Sequence, residues 1–209
     1  MRKFTALLGA FAAMLLGIGS AGAQDTIKIG LIMAYSGQFA DTAAQMDNAI
    51  KLYMKQNGDT VAGKKIEIVQ KDTTGPSPDT AKRLAQELVT RDNVDILVGF
   101  GLTPNALAAA PVATEAKKLM VIMNAATSII TTKSPYIVRV SMTLPQVTQP
   151  MAVWAAKNGI KKVFTVVADY GPGLDAEKAF SEAFKAAGGE MVGSIHTPLQ
   201  NPDFGPFVQ

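Results

Sequence analysis

The stretch DILVGFGLTPNALAAAPVATEAKKLMVIMNAATS, residues 95–128, decides the fold. It holds two short apolar runs typical of buried strands, Asp95–Val98 and Leu119–Ile122, on either side of an alanine-rich segment. That segment, Pro104–Lys117, is predicted to be a helix, since a proline suits a first helical turn. A strand, a helix and a second strand in this order predict two parallel strands joined by a right-handed crossover.

The same alternation continues on both sides of this unit and predicts an α/β fold with parallel sheets. Upstream, strands are expected at Ile27–Met33 and Lys65–Gln70, with helices at Asp41–Asn57 and Thr80–Arg91. Downstream we expect a strand at Tyr136–Val140, and then a second cycle made of the helix Val147–Asn158, the strand Val163–Ala168, the helix Gly173–Ala187 and the strand Met191–Ile195.

The first 23 residues are predicted to be a signal peptide. Arg2 and Lys3 precede an apolar run, Ala6–Ile18, and the small residues Ala21-Gly22-Ala23 follow it. The alternative is a membrane anchor, but the run is shorter than the ~20 residues that a span needs. We therefore expect cleavage after Ala23 and a location in the periplasm.

Composition argues against several classes of function. Without Arg2 and Lys3 the chain has 18 basic and 17 acidic residues, and no basic run interleaved with aromatics indicates a nucleic-acid partner. With no cysteine and one histidine, His196, neither a disulfide nor a metal site is expected, and no cofactor motif is present. No nucleophile–base motif surrounds His196, so the chain is not predicted to be an enzyme.

Polar loops follow four of the predicted strands, where ligands bind in open α/β sheets. In the loop NAATS, residues 124–128, the backbone N–H groups of Ala125 and Ala126 and the hydroxyl of Thr127 suit a carboxylate. An ordinary strand exit explains the same residues, because Ser, Thr and Asn dominate turns.

Two further loops carry candidate residues. In GFGLTPN, residues 99–105, Pro104 stands where a dinucleotide loop has its third glycine, so a nucleotide site is rejected. Thr103 either caps the following helix or faces a ligand. In DYGPG, residues 169–173, Tyr170 either offers a rigid aromatic face to a ligand or packs over the sheet edge.

These segments together resemble one family. IGLIMAYSGQFA, KDTTGPSPDTAKRLAQEL, LVGFGLTPNALAAAPVATE, VIMNAATS and VFTVVADYGPGLDAE, in this order, are similar to the branched-chain amino acid (leucine/isoleucine/valine) type of periplasmic substrate-binding protein of ABC transporters. The resemblance runs from about Thr26 to the last residue. It implies a type I clamshell of two lobes, each a Rossmann-like parallel sheet with helices on both faces. The clamshell, expected to be a monomer, would close on a small carboxylate without catalysis and deliver it to a membrane permease.

The resemblance also implies roles for particular residues. The ligand carboxylate would be held after the third and fourth strands, Tyr170 would cover the ligand, and Ser36 would lie in a loop that lines the cleft. The positions that hold the carboxylate are Thr103, Ala125, Ala126 and Thr127. The aromatic residues Tyr35 and Phe100 indicate aromatic or aliphatic organic acids rather than leucine.

The lobes are expected at residues 24–143 and 144–209, with the second lobe incomplete, since two full lobes need ~250–400 residues. Three alternatives stay open. The chain could be a ligand-sensing receptor module of the same fold, a periplasmic enzyme, or a truncated fragment without function.

Overall fold

The computed structural model describes residues 26–199 and 203–207, which build two α/β units. The predicted signal peptide lies outside these residues. The first unit is a six-stranded sheet in the order β2-β3-β1-β4-β5-β6, in which every neighbouring pair is parallel except β2 and β3. Its strands are β1 (Thr26–Met33), β2 (Thr60–Val61), β3 (Lys64–Asp72), β4 (Ile96–Gly99), β5 (Leu119–Ile122) and β6 (Ile137–Arg139).

Helices cover both faces of this sheet. Successive side chains of β1 point to opposite faces and therefore pack against different helices. Ile32 packs into the core beneath α2 (Pro78–Thr90) and α3 (Thr103–Ala116). Leu31 and Met33 pack on the other side, against α1 (Ala40–Asn57). The sheet is therefore buried on both faces, as is usual for parallel strands.

The second unit contains α4 (Leu144–Lys157), β7 (Lys162–Ala168), α5 (Gly171–Ala186) and β8 (Glu190–Thr197). β7 and β8 form a parallel two-stranded sheet. Its core includes Ala152 and Phe184, and the rings of Phe180 and Phe184 stack 5.5 Å apart. Short 3₁₀ helices occur at Gly37–Phe39, Ser128–Thr132 and Gly205–Phe207.

The predicted strands and helices are all present, so the parallel α/β prediction is confirmed; the lobe bounds at residues 143 and 144 stay a prediction. α4 begins three residues before its predicted start, because Thr143 and Gln146 form a capping box. The strand β2 was not predicted; it pairs with β3 through a two-residue turn, Ala62-Gly63, in which both φ angles are positive (51° and 79°).

The topology creates a crevice beside β1. The chain leaves β1 for β3 on one side and pairs β1 with β4 on the other, so the connections diverge at the carboxyl ends of β1 and β4. Such a switch point is where open α/β sheets bind ligands. Among the described residues, no helix is both long and apolar enough to cross a membrane.

Candidate functional site

Two adjacent cavities open at the carboxyl ends of β1, β4 and β5. We call the first the β1 cavity, with a volume of about 200 Å³, and the second the β5 cavity, with a volume of about 270 Å³. Both are lined by Leu102, Asn124 and Tyr170, so they are two parts of one cleft. Each is smaller than the ~300–1,000 Å³ of pockets for drug-sized ligands, and the cleft therefore suits a small molecule.

Three large apolar side chains line the β1 cavity beside several polar groups. Met33 at the end of β1, Met46 from α1 and Phe39 from the preceding 3₁₀ helix contribute large side chains. Thioether and aromatic groups of this kind pack well against a flat ring. Among the polar lining groups, the Asn105 side chain donates to the Gly75 carbonyl oxygen at 2.8 Å and thereby holds the loop after β3.

The last residue of β4 and the residue after it pack closely against the end of β1. Gly99 has φ of 111°, and a Cβ atom there would lie 2.4 Å from the carbonyl oxygen of Ile32. The next residue, Phe100, has a left-handed backbone (φ 57°), and its N–H donates to the same oxygen at 2.8 Å. Only glycine fits the first of these positions. The turn brings Gly101 and Leu102 beside β1, where they line the cleft.

The two aromatic residues expected to face the cleft do not line it. Phe100 is 1% exposed and belongs to the core between the sheet and α2 and α3. Tyr35 instead accepts a hydrogen bond at its hydroxyl from Gln70, and burial together with the negative charge of Asp47 raises the pKa of Tyr35 to about 12. The aromatic side chains that do line the cleft are Phe39 and Tyr170.

Thr103 and Thr127 are brought together. Both are buried, and their hydroxyl oxygens lie 2.8 Å apart. The suggestion that Thr103 caps α3 is wrong, since Leu102 occupies the cap position and Thr103 is the first helical residue. Thr103 lines the β5 cavity, whereas Thr127 does not line either cavity and supports Thr103 from behind.

Ala125 and Ala126 both line the β5 cavity, but their amides differ. The N–H of Ala125 donates to the Phe100 carbonyl oxygen at 3.1 Å, so it is engaged within the protein. No described residue accepts from the N–H of Ala126. The N–H of Ala126 is therefore free to receive an anion, and Thr103 at the amino terminus of α3 lines the same cavity.

Tyr170 stands between the two units. It occupies the cap position before α5, lines both cavities and is half-buried, and this burial raises the pKa of its hydroxyl. The following residue, Gly171, packs directly on the threonine pair: a Cβ atom there would lie 3.1 Å from Cγ2 of Thr103 and 3.3 Å from Oγ1 of Thr127. The amino terminus of α5 thus closes the cleft from the second unit.

Ser36 is not brought to the cavities. Its side chain is exposed and donates to Asp72 at 2.7 Å. Burial opposes ionisation of Asp72, but hydrogen bonds from Ser36 and from the backbone of Thr74 and Tyr35 outweigh it and lower the pKa of Asp72. Ser36 therefore orders the loop after β1 rather than the wall of the cleft.

Two charged residues near the site were not predicted, because neither stands in a polar loop at a strand end. Arg139, the last residue of β6, donates from Nη2 to the carbonyl oxygen of Thr127 at 2.6 Å. Asp175, in the first turns of α5, accepts from both the backbone N–H and the hydroxyl of Ser128. The loop after β5 is therefore held from β6 and from the second unit.

His196 lies elsewhere, on β8, with its Nε2 2.7 Å from a carboxylate oxygen of Glu177. The same carboxylate also accepts from the hydroxyls of Thr165 and Ser194, so it joins α5 to both strands of the small sheet. In the part of the chain that the structure describes, no three His, Cys, Asp or Glu residues are grouped so that they could hold a metal ion.

Comparison with known proteins identifies the family. A family model described as periplasmic binding protein matches residues 26–209. The chain belongs to the periplasmic binding protein family. The resemblance inferred from the sequence is thereby confirmed, and the family is one of periplasmic binding proteins rather than of enzymes.

Curated relatives within this family include Leu/Ile/Val-binding protein homolog 6 of Brucella abortus (strain 2308). It is 46% identical over 190 residues, which are 91% of this chain and 49% of the relative. The homologue of Brucella suis biovar 1 (strain 1330) matches to the same extent. The chain thus spans about half the length of the curated relatives it matches.

Solved structures of the family match the fold. A solute binding protein of an ABC transporter from Rhodopseudomonas palustris BisB5, in complex with 3,4-dihydroxybenzoic acid, is 58% identical with a TM-score of 0.85; the match covers 88% of this chain and 50% of that one. One from R. palustris in complex with 4-hydroxybenzoate is 46% identical, with the same TM-score and coverage. A leucine binding protein from Thermotoga maritima MSB8 is 25% identical (TM-score 0.79, covering 87% and 52%). The type I fold is confirmed.

Proposed function

We propose that this periplasmic binding protein carries a small aromatic carboxylate of the hydroxybenzoate class to an ABC importer. The observation that supports this most directly is the divided cleft. Its β5 side presents the Thr103 hydroxyl at the amino terminus of α3 and the free amide of Ala126, while its β1 side presents Phe39, Met33 and Met46. A flat ring that bears a carboxylate matches both halves.

The carboxylate would lie in the β5 cavity. Ala126, whose N–H is free, and Thr103, at the positive end of the α3 dipole, both line this cavity. The ring would extend into the β1 cavity, with Tyr170 along the boundary between the two. Thr127 would orient the Thr103 hydroxyl. The small side chain of Ala125 would leave room for the carboxylate to approach.

The ligands in related structures support this class. Two solute binding proteins from R. palustris, 58% and 46% identical to this chain, were crystallised with 3,4-dihydroxybenzoic acid and 4-hydroxybenzoate. A branched-chain amino acid is the second candidate, because the Brucella relatives bear the name Leu/Ile/Val-binding protein homolog. The two classes differ in the ammonium group and in the flatness of the apolar part.

Binding would be non-catalytic, and a membrane permease would recognise the protein when the second unit closes over the ligand. The exported form would be a monomer that begins after Ala23. Ser36 would serve the site indirectly, by ordering the loop after β1 through Asp72.

Thermal unfolding with a panel of acids tests this proposal. The purified protein is melted with 3,4-dihydroxybenzoate, 4-hydroxybenzoate, benzoate and leucine, each over a range of concentrations. A ligand at 100 times its dissociation constant adds ~2.7 kcal/mol to the free energy of unfolding, a rise of a few degrees in the melting temperature of a domain of this size. We expect the hydroxybenzoates to give the largest rise.

Methyl 4-hydroxybenzoate is the matched control, since it keeps the ring and hydroxyl and removes the carboxylate charge. It should leave the melting temperature unchanged. If leucine alone raises the melting temperature, the ligand is a branched-chain amino acid and not an aromatic acid. Equal shifts by acid and ester would overturn the carboxylate assignment, and a cooperative melt that no acid moves would overturn the function.

A further inference from the structure

The two units are joined near the cleft by a paired contact that has no part in the proposed ligand site. The carboxylate of Asp175, on α5, uses both of its oxygens: Oδ2 accepts from the backbone N–H of Ser128 at 2.8 Å and Oδ1 from its hydroxyl at 2.9 Å. Hydrogen bonds to an ionised acceptor are shorter and stronger than those between neutral groups. The contact joins residues that are 47 positions apart in the chain.

The residue before Ser128 is held by a second charged side chain. Arg139 donates from Nη2 to the carbonyl oxygen of Thr127 at 2.6 Å, and its buried Nε has no hydrogen-bond partner. Burial lowers the pKa of the Arg139 guanidinium, while the negative charge of Asp175 opposes this effect. Asp175 and Arg139 therefore lie close enough to influence each other. Both bind the peptide group between Thr127 and Ser128, Arg139 at its carbonyl oxygen and Asp175 at its N–H.

This arrangement constrains the residues that would receive the ligand. Ala126, with the free amide, and Thr127, which bonds the Thr103 hydroxyl, directly precede Ser128 in this loop. Arg139 belongs to the same unit as this loop and can hold it whether or not the units are closed. Asp175 belongs to the other unit and can hold it only when α5 lies against the loop.

We infer that Asp175 is a positioning residue that couples closure of the two units to the arrangement of the carboxylate-binding loop at Ala126 and Thr127. The inference rests on the proposed function for its ligand. When α5 approaches, Asp175 binds Ser128 and fixes the loop in its binding geometry. When the units separate, the loop loses the contact with Asp175 and the ligand dissociates.

A purely local role for Asp175 is the competing explanation. Ser128 begins the 3₁₀ helix Ser128–Thr132, and a carboxylate on its N–H caps that turn. A cap of this kind contributes to the stability of the free protein and leaves the kinetics of the ligand alone. Dissociation rates and unliganded stability therefore separate the two explanations.

The test measures 4-hydroxybenzoate dissociation by stopped flow, for the wild type and for Asp175→Ala and Asp175→Asn. Because Asp175→Ala removes hydrogen bonds to a charged group, we expect dissociation to become about tenfold faster. The melting temperature of the free protein should stay nearly unchanged. Asp169→Asn is the matched control: it makes the same change in charge near Tyr170, but the Asp169 side chain is exposed and takes part in no described hydrogen bond. It should retain the wild-type rate.

Ser128→Ala supplies the second arm, because it removes the hydroxyl and leaves the N–H. In a double-mutant cycle with Asp175→Ala, the combined increase in rate should be smaller than the product of the single increases. Rates that multiply, or an Asp175→Ala rate equal to that of Asp169→Asn, would overturn the inference. A large fall in unliganded melting temperature with an unchanged rate would leave Asp175 as a helix cap.

A measurement without ligand keeps this inference distinct from the proposed function. The chain has no cysteine, so spin labels can be placed at Lys82→Cys on α2 and Lys157→Cys on α4, both exposed. Asp175→Ala should shift the inter-label distances toward larger values than those of the wild type. If the inter-label distances of Asp175→Ala equal those of the wild type, the inference is overturned. If the distances change but the wild type binds none of the acids, only the proposed function is overturned.

Discussion

Single residues in the cleft act as pairs. Thr103 and Thr127 were both predicted from polar loops at strand ends, and each alone suggested a hydroxyl aimed at a ligand. In the structure the two buried hydroxyls bond one another, and only Thr103 lines a cavity. Removing one member of a buried pair leaves the other unsatisfied, which costs more than removing both.

Thr127→Val therefore should destabilise the protein even without ligand. The substitution keeps the shape of the side chain but leaves the Thr103 hydroxyl buried without its partner. We expect the free energy of unfolding to fall by about 1–3 kcal/mol. Urea denaturation of the free protein measures the change.

The double variant Thr103→Val, Thr127→Val is the control for this prediction. It removes both hydroxyls and leaves neither unpaired, so its loss should be smaller than that of Thr127→Val. A single variant as stable as the wild type would show that water already satisfies these hydroxyls.

Phe100 shows why residue orientation escapes sequence reasoning. Its glycine-rich loop predicted an exposed aromatic near the cleft, yet it is 1% exposed. The left-handed backbone at this residue, with its N–H on the Ile32 carbonyl oxygen, places Phe100 among the core side chains of the α2 and α3 side. Ile32 is 68 positions away, and no local pattern reports that contact.

At the scale of elements, one carboxylate fastens α5 to the small sheet. Glu177 accepts from the hydroxyl of Thr165 on β7 and from that of Ser194 on β8, and its other oxygen lies 2.7 Å from Nε2 of His196. These hydrogen bonds stabilise the ionised form and lower the pKa of Glu177, although its partial burial opposes them. The element therefore depends on a charge that sequence periodicity does not reveal.

Glu177→Gln should destabilise the second unit, and the loss should depend on pH. Because the folded pKa of Glu177 is lowered, its contribution is present above the ordinary pKa of about 4.5 and disappears as the pH falls through the lower folded value. We expect the variant to lose about 1–2 kcal/mol at pH 7, and the difference from wild type to shrink steadily below pH ~4. Urea denaturation over this pH range measures it.

Glu182→Gln, on the same helix, is the matched control. Glu182 pairs with Lys178 on the exposed side of α5, and exposed ion pairs contribute little. This variant should stay close to the wild type at every pH. A Glu177→Gln difference that persists unchanged at pH 3 would mean that packing, and not the charge, fastens α5.

At the scale of the whole molecule, the amino terminus of α5 brings the second unit against the cleft. The first residue of α5, Gly171, packs on Thr103 and Thr127, and Asp175 reaches Ser128 one turn further along. Both contacts come from the same end of one helix. The proposed closure would therefore depend on how closely the α5 amino terminus can approach the loop after β5.

Gly171→Ala tests this approach. A Cβ atom at Gly171 would lie 3.1 Å from Thr103 and 3.3 Å from Thr127, closer than the units can easily accommodate. Alanine also has the higher helix propensity, so α5 itself should not be weakened. We expect 4-hydroxybenzoate to bind about tenfold more weakly, in line with the ~1–3 kcal/mol cost of overpacking, while the free protein keeps its melting temperature.

Gly75→Ala is the comparison variant, since a Cβ atom at Gly75 would meet no atom within 4 Å. Its dissociation constant should match that of the wild type. Wild-type affinity for Gly171→Ala would show that the units are free to shift by a few tenths of an ångström without loss of the site.

The amino-acid sequence by itself determined the order of the strands and helices apart from β2, the parallel pairing of the other strands and the edge at which the cleft lies. These follow from apolar periodicity and from the short connections between elements, both of which are local. Only the tertiary structure decided which polar atoms face one another: Thr103 with Thr127, Arg139 with the Thr127 carbonyl, and Asp175 with Ser128. The reason is physical, because such pairs form between residues far apart in the chain, and their geometry depends on how whole units pack.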